Sequence, residues 1–412
     1  MKQVAQLIKD DQRKVVVLSA MSGMTNTLTE IVNALYKGEK DAVHSIVDDL
    51  EKTYAGHVEE LCTENETKDK VLEMLEGHWS HILSFTLDMF TPFEERTLLA
   101  QGELISTQMM QFYLEEKGVR SALLPALDFM RFDQQGEPDM WYVKSNLERM
   151  IKEHADVDLF ITQGYICRNH FGDFDNLKRG GSDYTASIIG AAIKLEEVQI
   201  WTGIDGMHNN DPRVVEKTRP ISKLTFDEAA ELAYFGAKIL HPTSIVPARQ
   251  ASIPVILKNT LEPEKEGTVI SNEPSGAFIK AVAAKDGIKA IKIKSDRMLL
   301  AFGFLRKIFE VFERHRIPID MITTSEVAVS LTIDETGDIS HLLDELRLYG
   351  TVEVDRDQTI ICIVGHLLQE EPGHAARVFD ALKDVPLRMI SYGGSKNNIS
   401  ILVDSPMKHY AL

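Results

Sequence analysis

Apolar residues set the period of this chain, and the period changes along it. Val4, Leu7 and Ile8 recur at the spacing of one helix face, and "KVVVLSA" (Lys14–Ala20) then runs as an almost unbroken apolar strand. Its core Val15–Ser19 is a strand candidate, and similar short runs recur at Ala122–Leu127, Asp158–Thr162, Val198–Trp201 and Pro254–Leu257. Several have the continuous Val/Ile/Leu character of strands covered on both faces. Helical patterns lie between them, including Thr97–Glu116 stopped by Gly118, and Ser182–Lys194 with Ser182 as its N-cap. This alternation, sustained to about residue 260, predicts an α/β domain with a largely parallel sheet. Ligands bind such sheets where strands give way to loops. A domain of this kind usually opens on a strand, so the leading helix predicts an element missing upstream.

The pattern changes after "SNEPSGAF" (Ser271–Phe278), a polar Gly/Pro stretch that reads as a boundary. Gly303–Asp334 resembles Gly373–Asp404: each has an amphipathic helix with a Phe (Phe309, Phe379), a Pro, "DMI" or "RMI", and an alternating strand ending in Asp. With the preceding strands Ala290–Lys294 and Thr359–Val364, each copy starts as β-α-β-β, compatible with a small ferredoxin-like module. A paired sensor and a dimerisation device are both open on pattern alone.

Composition narrows the classes. The 412 residues are 44% hydrophobic and 26% charged, enough for a large buried core, and the length predicts two or three domains. A net charge of −18 argues against nucleic acid or an anionic membrane as partner, which makes a local basic cluster informative. Cys62, Cys167 and Cys362 are widely spaced, with no CxxC, so a reducing cytoplasm is expected. No apolar run is long enough for a membrane span.

Four motifs at element junctions could carry chemistry. "SAMSGMTN" (Ser19–Asn26) puts hydroxyls and Gly23 before a helix, where backbone N–H groups attract anions or are merely capped. "KRGGSDYTAS" (Lys178–Ser187) joins Arg179, able to grip a carboxylate or phosphate bidentately, to Gly180 and Gly181, whose N–H groups are unobstructed. Asp183 fits beside an anion only with a cation such as Mg²⁺ or a Lys; a helix cap with a solvated Arg is the bland alternative. "AQGELIST" (Ala100–Thr107) sets Glu103 in an apolar helix, where a carboxylate needs a structural Arg or a ligand's ammonium. "WTGIDGMHNNDPR" (Trp201–Arg213) is a long, turn-rich loop suited to binding. His78 and His81 have helical spacing but no further metal ligand nearby, so a solvated helix face is expected. Neither GxxxxGK[ST] nor GxGxxG occurs.

In order and spacing, "VVVLSAMSGMTN", "AQGELIST", "FITQGY", "RGGSDYTA", "WTGIDGMHNNDPR", "FDEAAELAYFGAKILHP" (Phe226–Pro242) and "IDMITTSEV" (Ile319–Val327) resemble the aspartate kinases over essentially the whole chain. The resemblance implies an amino-acid-kinase (carbamate-kinase-like) αβα sandwich over residues 1–275. Two ferredoxin-like ACT modules would follow over 285–357 and 358–412, the second short at its C-terminus unless a strand from Ile279–Ala284 completes it. It implies transfer of the ATP γ-phosphoryl to the β-carboxylate of L-aspartate, giving 4-phospho-L-aspartate on the route to lysine, threonine and methionine. No strong base is needed, because a carboxylate is already a nucleophile, so catalysis rests on alignment and neutralisation.

By resemblance, Arg179 holds the α-carboxylate and Glu103 the α-ammonium. Ser19, Thr25, Gly180, Gly181 and Ser182 fix the substrate, and Asp183 organises the cationic side of the transfer. Thr202, Gly203, His208, Arg213, Lys238 and Ile239 match nucleotide contacts, with Mg²⁺ bridging the phosphates and no metal bound by the protein alone. Met298, Phe304, Leu305, Asp320, Ser325 and Glu326 match the effector site of lysine-sensitive members, Asp320 pairing with an effector ammonium. A cytoplasmic homodimer through the ACT modules is implied.

Some positions depart from the family. The opening "KFGGTS" strand and phosphate loop do not occur, so a truncated sequence or a silent relative is expected, with very weak activity from the chain as it stands. Gly203 stands where many relatives have Asp, a lost carboxylate that predicts weaker ATP binding; His208 stands where some have Tyr, and Ala301 replaces a Ser of some lysine-binding members. A non-catalytic amino-acid-binding regulator and a fragment of a bifunctional kinase–homoserine dehydrogenase are the alternative readings.

Overall fold

The computed structural model describes residues 1–177, 180–236, 240–276, 278–295, 302–366, 370 and 372–412. Backbone contacts divide them into two compact units, Met1–Gly203 with Thr243–Lys265, and Ile204–Pro242 with Glu266–Leu412.

The first unit opens with α1 (Lys2–Ile8), β1 (Lys14–Leu18) and three helices, α2 (Met24–Lys37), α3 (Lys40–Leu61) and α4 (Asn65–Ser84). Then come α5 (Pro92–Leu99), α6 (Gln101–Glu116), β2 (Ser121–Leu124), α7 (Met140–Glu153) and β3 (Leu159–Gln163). A hairpin of β4 (Ile166–Arg168) and β5 (Phe174–Asn176) leads to α8 (Gly181–Ala192) and β6 (Val198–Thr202). β3 lies between β1 and β2 and pairs in parallel with both. Its alternate residues serve two cores: Leu159 and Ile161 join one built on α2, α3, α4 and α6, and Phe160 joins another built on α7 and α8. That two-sided burial is why β3 reads as an unbroken apolar run, and it makes the layer order helix, sheet, helix.

Two expected elements are divided differently. Thr97–Glu116 is not one helix. Thr91 and Glu94 form a reciprocal capping box with Pro92 in the first turn of α5, and a break at Ala100 starts α6 anew. The expected strand Ala122–Leu127 ends at Leu124, because Pro125 offers no N–H to a ladder.

The second unit begins with β7 (Lys223–Thr225) and α9 (Phe226–Tyr234), while α10 (Val246–Gln250) and β8 (Val255–Asn259), parallel to β6, belong to the first. The second unit then takes β9 (Thr268–Ser271), parallel to β7, and the long β10 (Ile279–Lys294). α11 (Phe304–Arg314), β11 (Ile322–Thr324), β12 (Ala328–Asp334), α12 (Ser340–Arg347) and the long β13 (Thr351–Gly365) follow. α13 (His374–Ala381), β14 (Met389–Tyr392), β15 (Asn398–Asp404) and α14 (Lys408–Ala411) end it.

The internal repeat becomes one six-stranded sheet, ordered β11-β12-β10-β13-β15-β14. The two antiparallel long strands run through both halves. Ile291 and Ile293 of β10 enter the core beneath α11 and α12, while Val282 and Ala284 pack on that beneath α13. Residues Ile279–Lys285 thus pair with Ile360–Gly365 of the second module. Gly303 and Gly373, equivalent in the repeat, both cap their helices with left-handed φ, 78° and 91°, a conformation that favours glycine.

Candidate active site

Four chain segments of the first unit converge at the C-terminal ends of β1 and β3. β1 delivers Ser19, β3 delivers Gln163 and Gly164, α6 brings Glu103 in its first turn, and α8 brings Ser182 in its own. Ser19 Oγ donates to Ser182 Oγ at 2.7 Å. Glycine is required where backbones meet: a Cβ on Gly164 would lie 2.2 Å from Ser182 Oγ and 2.7 Å from its Cα. A Cβ on Gly102 would lie 2.7 Å from that of Ala20. Gly180, with φ 72°, is the N-cap of α8, so the expected cap at Ser182 is corrected: the helix has already begun at Gly181, and the Ser182 hydroxyl pairs with Ser19. The N–H groups of the first turn of α8 suit an anion.

Glu103 is 5% exposed, and the Ala20 N–H donates to its Oε1 at 3.2 Å. Among the described residues no cation pairs with it, and burial pushes its carboxyl up to about 7. Asp183 is half-buried, and burial raises its carboxyl to about 6. Two carboxylates held in this way without a described cation leave room for positive charge from outside the chain.

The polar support beneath Glu103 was not singled out in the sequence. Ser106 and Thr107, three and four residues along α6, lie on the face of Glu103. Ser106 Oγ donates to the Ser19 carbonyl at 2.8 Å, and Thr107 Oγ1 to the Glu103 carbonyl at 2.8 Å. Buried Gln163 donates to Thr107 Oγ1 at 2.9 Å and accepts from the Ala126 N–H at 2.8 Å. All three stand inside motifs quoted above, but a motif does not show which polar members face inward.

Other expected site residues are placed singly. Thr25 is exposed in the first turn of α2, Thr202 ends β6, and a Cβ on Gly203 would meet nothing within 4 Å. His208 is fixed between Asp205 Oδ1 (2.7 Å) and Thr218 Oγ1 (2.9 Å), and exposed Arg213 forks onto Asp211 at 2.7 and 2.9 Å. Arg179, Lys238, Ile239 and Met298 lie outside the described residues.

In the second unit Phe304 is buried at the start of α11, Leu305 is partly exposed and Glu326 exposed. Ser325 Oγ accepts from the Ala328 N–H at 3.1 Å. Asp320 already has a cation: Lys285 Nζ lies 3.0 Å from its Oδ2, and Tyr234 donates to its Oδ1 at 2.6 Å.

His78 corrects the expected solvated face. It is half-buried between α4 and α6, its Nδ1 2.6 Å from Gln101 Oε1, and burial lowers its pKa. His81 is exposed. The described residues hold no group of three potential metal ligands, and none of their helices is long and apolar enough to cross a membrane.

The profile of the amino acid kinase family matches residues 1–259, and that of the ACT domain residues 361–412. The chain is 33% identical to the lysine-sensitive aspartokinase 3 of Escherichia coli (strain K12), over 96% of this chain and 90% of that protein. It is 34% identical to the chloroplastic aspartokinase 1 of Arabidopsis thaliana, over 98% and 74%. Among solved structures, E. coli aspartokinase III in complex with aspartate and ADP (R-state) superimposes with a TM-score of 0.80 at 31% identity. That match covers 100% of this chain and 94% of the other. The same enzyme in complex with lysine and aspartate (T-state) gives 0.80 at 32%, over the same shares.

Proposed function

The chain belongs to the aspartokinase family, an amino acid kinase with ACT modules, and from that premise we propose where its substrate, nucleotide and effector bind. Its activity is phosphorylation of the L-aspartate β-carboxylate, regulated allosterically. Likeness to kinases along nearly the whole chain does not favour a purely non-catalytic regulator.

The observation that carries the substrate reading is the buried Glu103 carboxylate without a described cation, beside the Ser19–Ser182 pair. The α-ammonium of aspartate supplies the missing charge. Arg179 grips the α-carboxylate, Ser19, Thr25, Gly180, Gly181 and Ser182 fix the remainder, and Gln163, Ser106 and Thr107 position Glu103 from below. A substrate held by both charged ends presents its β-carboxylate in one orientation, and that alignment lowers the entropic part of the barrier.

Thr202, Gly203, His208, Arg213, Lys238 and Ile239 contact ATP. Mg²⁺ bound with the nucleotide would be held by Asp183 and would supply positive charge to its phosphates. The donor set fits, because such an ion takes only one or two carboxylates besides phosphate and water, and Asp183 supplies one without a described cation of its own. Residues 1–275 form the catalytic part, and 285–357 and 358–412 the two sensor modules. Lysine is the effector, around Met298, Phe304, Leu305, Asp320, Ser325 and Glu326; that the similar E. coli enzyme was solved with lysine supports this. The exposed edge strand β11 suits pairing with a second copy, and three unpaired thiols suit the cytoplasm.

The test is aspartyl-hydroxamate formation by the Arg179→Ala variant. The aspartate KM should rise about a hundredfold, the effect of removing one partner of a buried charge pair, with the ATP KM nearly unchanged. An unchanged aspartate KM refutes the placement.

A further inference from the structure

Helix α9 is fastened to strand β10 at both ends, and the two fastenings differ in kind. At its start, Glu228 Oε2 accepts from Lys280 Nζ at 2.6 Å, with the two side chains 0% and 2% exposed. At its end, Tyr234 donates to Asp320 Oδ1 at 2.6 Å, while Lys285 Nζ lies 3.0 Å from Asp320 Oδ2 and 2.8 Å from Asp334 Oδ1. Lys285 also stands 5.0 Å from the centroid of the Tyr234 ring. Asp320 is 2% exposed and Lys285 20%. The first fastening is sealed; the second borders solvent.

The surroundings tie the second fastening to both functional regions of this unit. Lys285 sits where the β10–β13 register slips, between the halves of the ACT sheet. Next to it, the Ala284 carbonyl is so close to Gly236 (φ 125°) that a Cβ there would lie 2.1 Å from the oxygen. Tyr234 is the last residue of α9, four and five residues before Lys238 and Ile239. Asp320 belongs to the proposed effector cluster.

We propose that Asp320 is the shared carboxylate of a regulatory latch. Lys285 and Tyr234 hold it while the effector site is empty; an effector's ammonium replaces Lys285 on Asp320 and turns the carboxylate toward itself, so that Oδ1 leaves the reach of the Tyr234 hydroxyl and the end of α9 is released. The chain's own lysine ammonium is thus the resident competitor of a lysine effector. The latch rests on the effector reading given above. Coupling follows from linkage: whatever competes for Asp320 weakens the ATP-binding form by the factor by which that form weakens the effector.

Tyr234→Phe in the full chain keeps the ring under Lys285 and removes only the hydroxyl. Without lysine, its ATP KM should rise roughly tenfold, the scale of one lost hydrogen bond to a charged group. Added lysine should then raise it by less than about twofold, and calorimetry should show lysine binding roughly tenfold tighter. An ATP KM and a lysine response equal to those of the unaltered protein overturn the latch. Should Tyr234→Phe fail to fold, Lys285→Met removes the competitor and should tighten lysine about tenfold, with Lys285→Arg retaining the original affinity; equal affinity in Lys285→Met overturns the latch. Absence of lysine binding to the unaltered protein overturns the effector reading and the latch together.

Discussion

Glu103 and Asp320 are both carboxylates withdrawn from water, one in each unit, and their partners differ. Glu103 receives the Ala20 N–H, and no described cation reaches it. Asp320 carries a tyrosine hydroxyl and a lysine ammonium. A buried carboxylate without a counter-charge is unfavourable in the free protein and gains most from a ligand's ammonium. A carboxylate already paired gives a ligand only the difference between two cations. The first arrangement suits a substrate that must bind whenever present, the second an effector that should act only above a threshold.

The largest effects should come from breaking a satisfied pair. Lys280→Met leaves Glu228 charged in a fully buried place, and thermal or urea unfolding should show a loss of about 3–5 kcal/mol. Glu103→Gln goes the other way in stability. Its folded carboxyl is raised to about 7, so above that pH the charged form opposes folding, and the opposition vanishes as the pH falls toward 4.5. The variant should therefore be more stable at pH 8 by about 1–2 kcal/mol, with no gain near pH 4.5, while its aspartate KM rises about a hundredfold. A Glu103→Gln protein with ordinary aspartate KM erases the contrast between the carboxylates.

The same shift predicts a pH signature. Between pH 8 and 6 the aspartate KM of the unaltered protein should rise roughly tenfold as Glu103 takes up its proton, and Glu103→Gln should flatten that rise. Smallest of these, Gln163→Leu should raise the aspartate KM about fivefold, one modest hydrogen bond's worth, leaving the ATP KM in place; Thr107→Ser keeps the hydroxyl and should show less.

The strands were legible because burial on both faces writes itself as unbroken apolar runs, as in "LFITQ" of β3. The repeat was legible because both copies need the same glycine before the helix and the same alternation after it. The split at Ala100 was hidden because α5 and α6 continue one helical apolar pattern, and only the capping box at Thr91 hints at a separate start. His78 departs from expectation because a neighbouring helix, not its own sequence context, covers it.

By itself, the sequence singled out the groups proposed for the chemistry: a carboxylate in an apolar helix, an Arg beside paired glycines, and hydroxyls at strand ends. These are local facts, fixed by residue type and spacing. Tertiary structure alone decided which charges are answered. Ser19 meets Ser182 across 163 positions of chain, Tyr234 meets Asp320 across 86, and Glu103 meets no described cation. A buried charge is governed by what lies within a few ångströms of it, and that neighbourhood exists only once distant segments have been packed together.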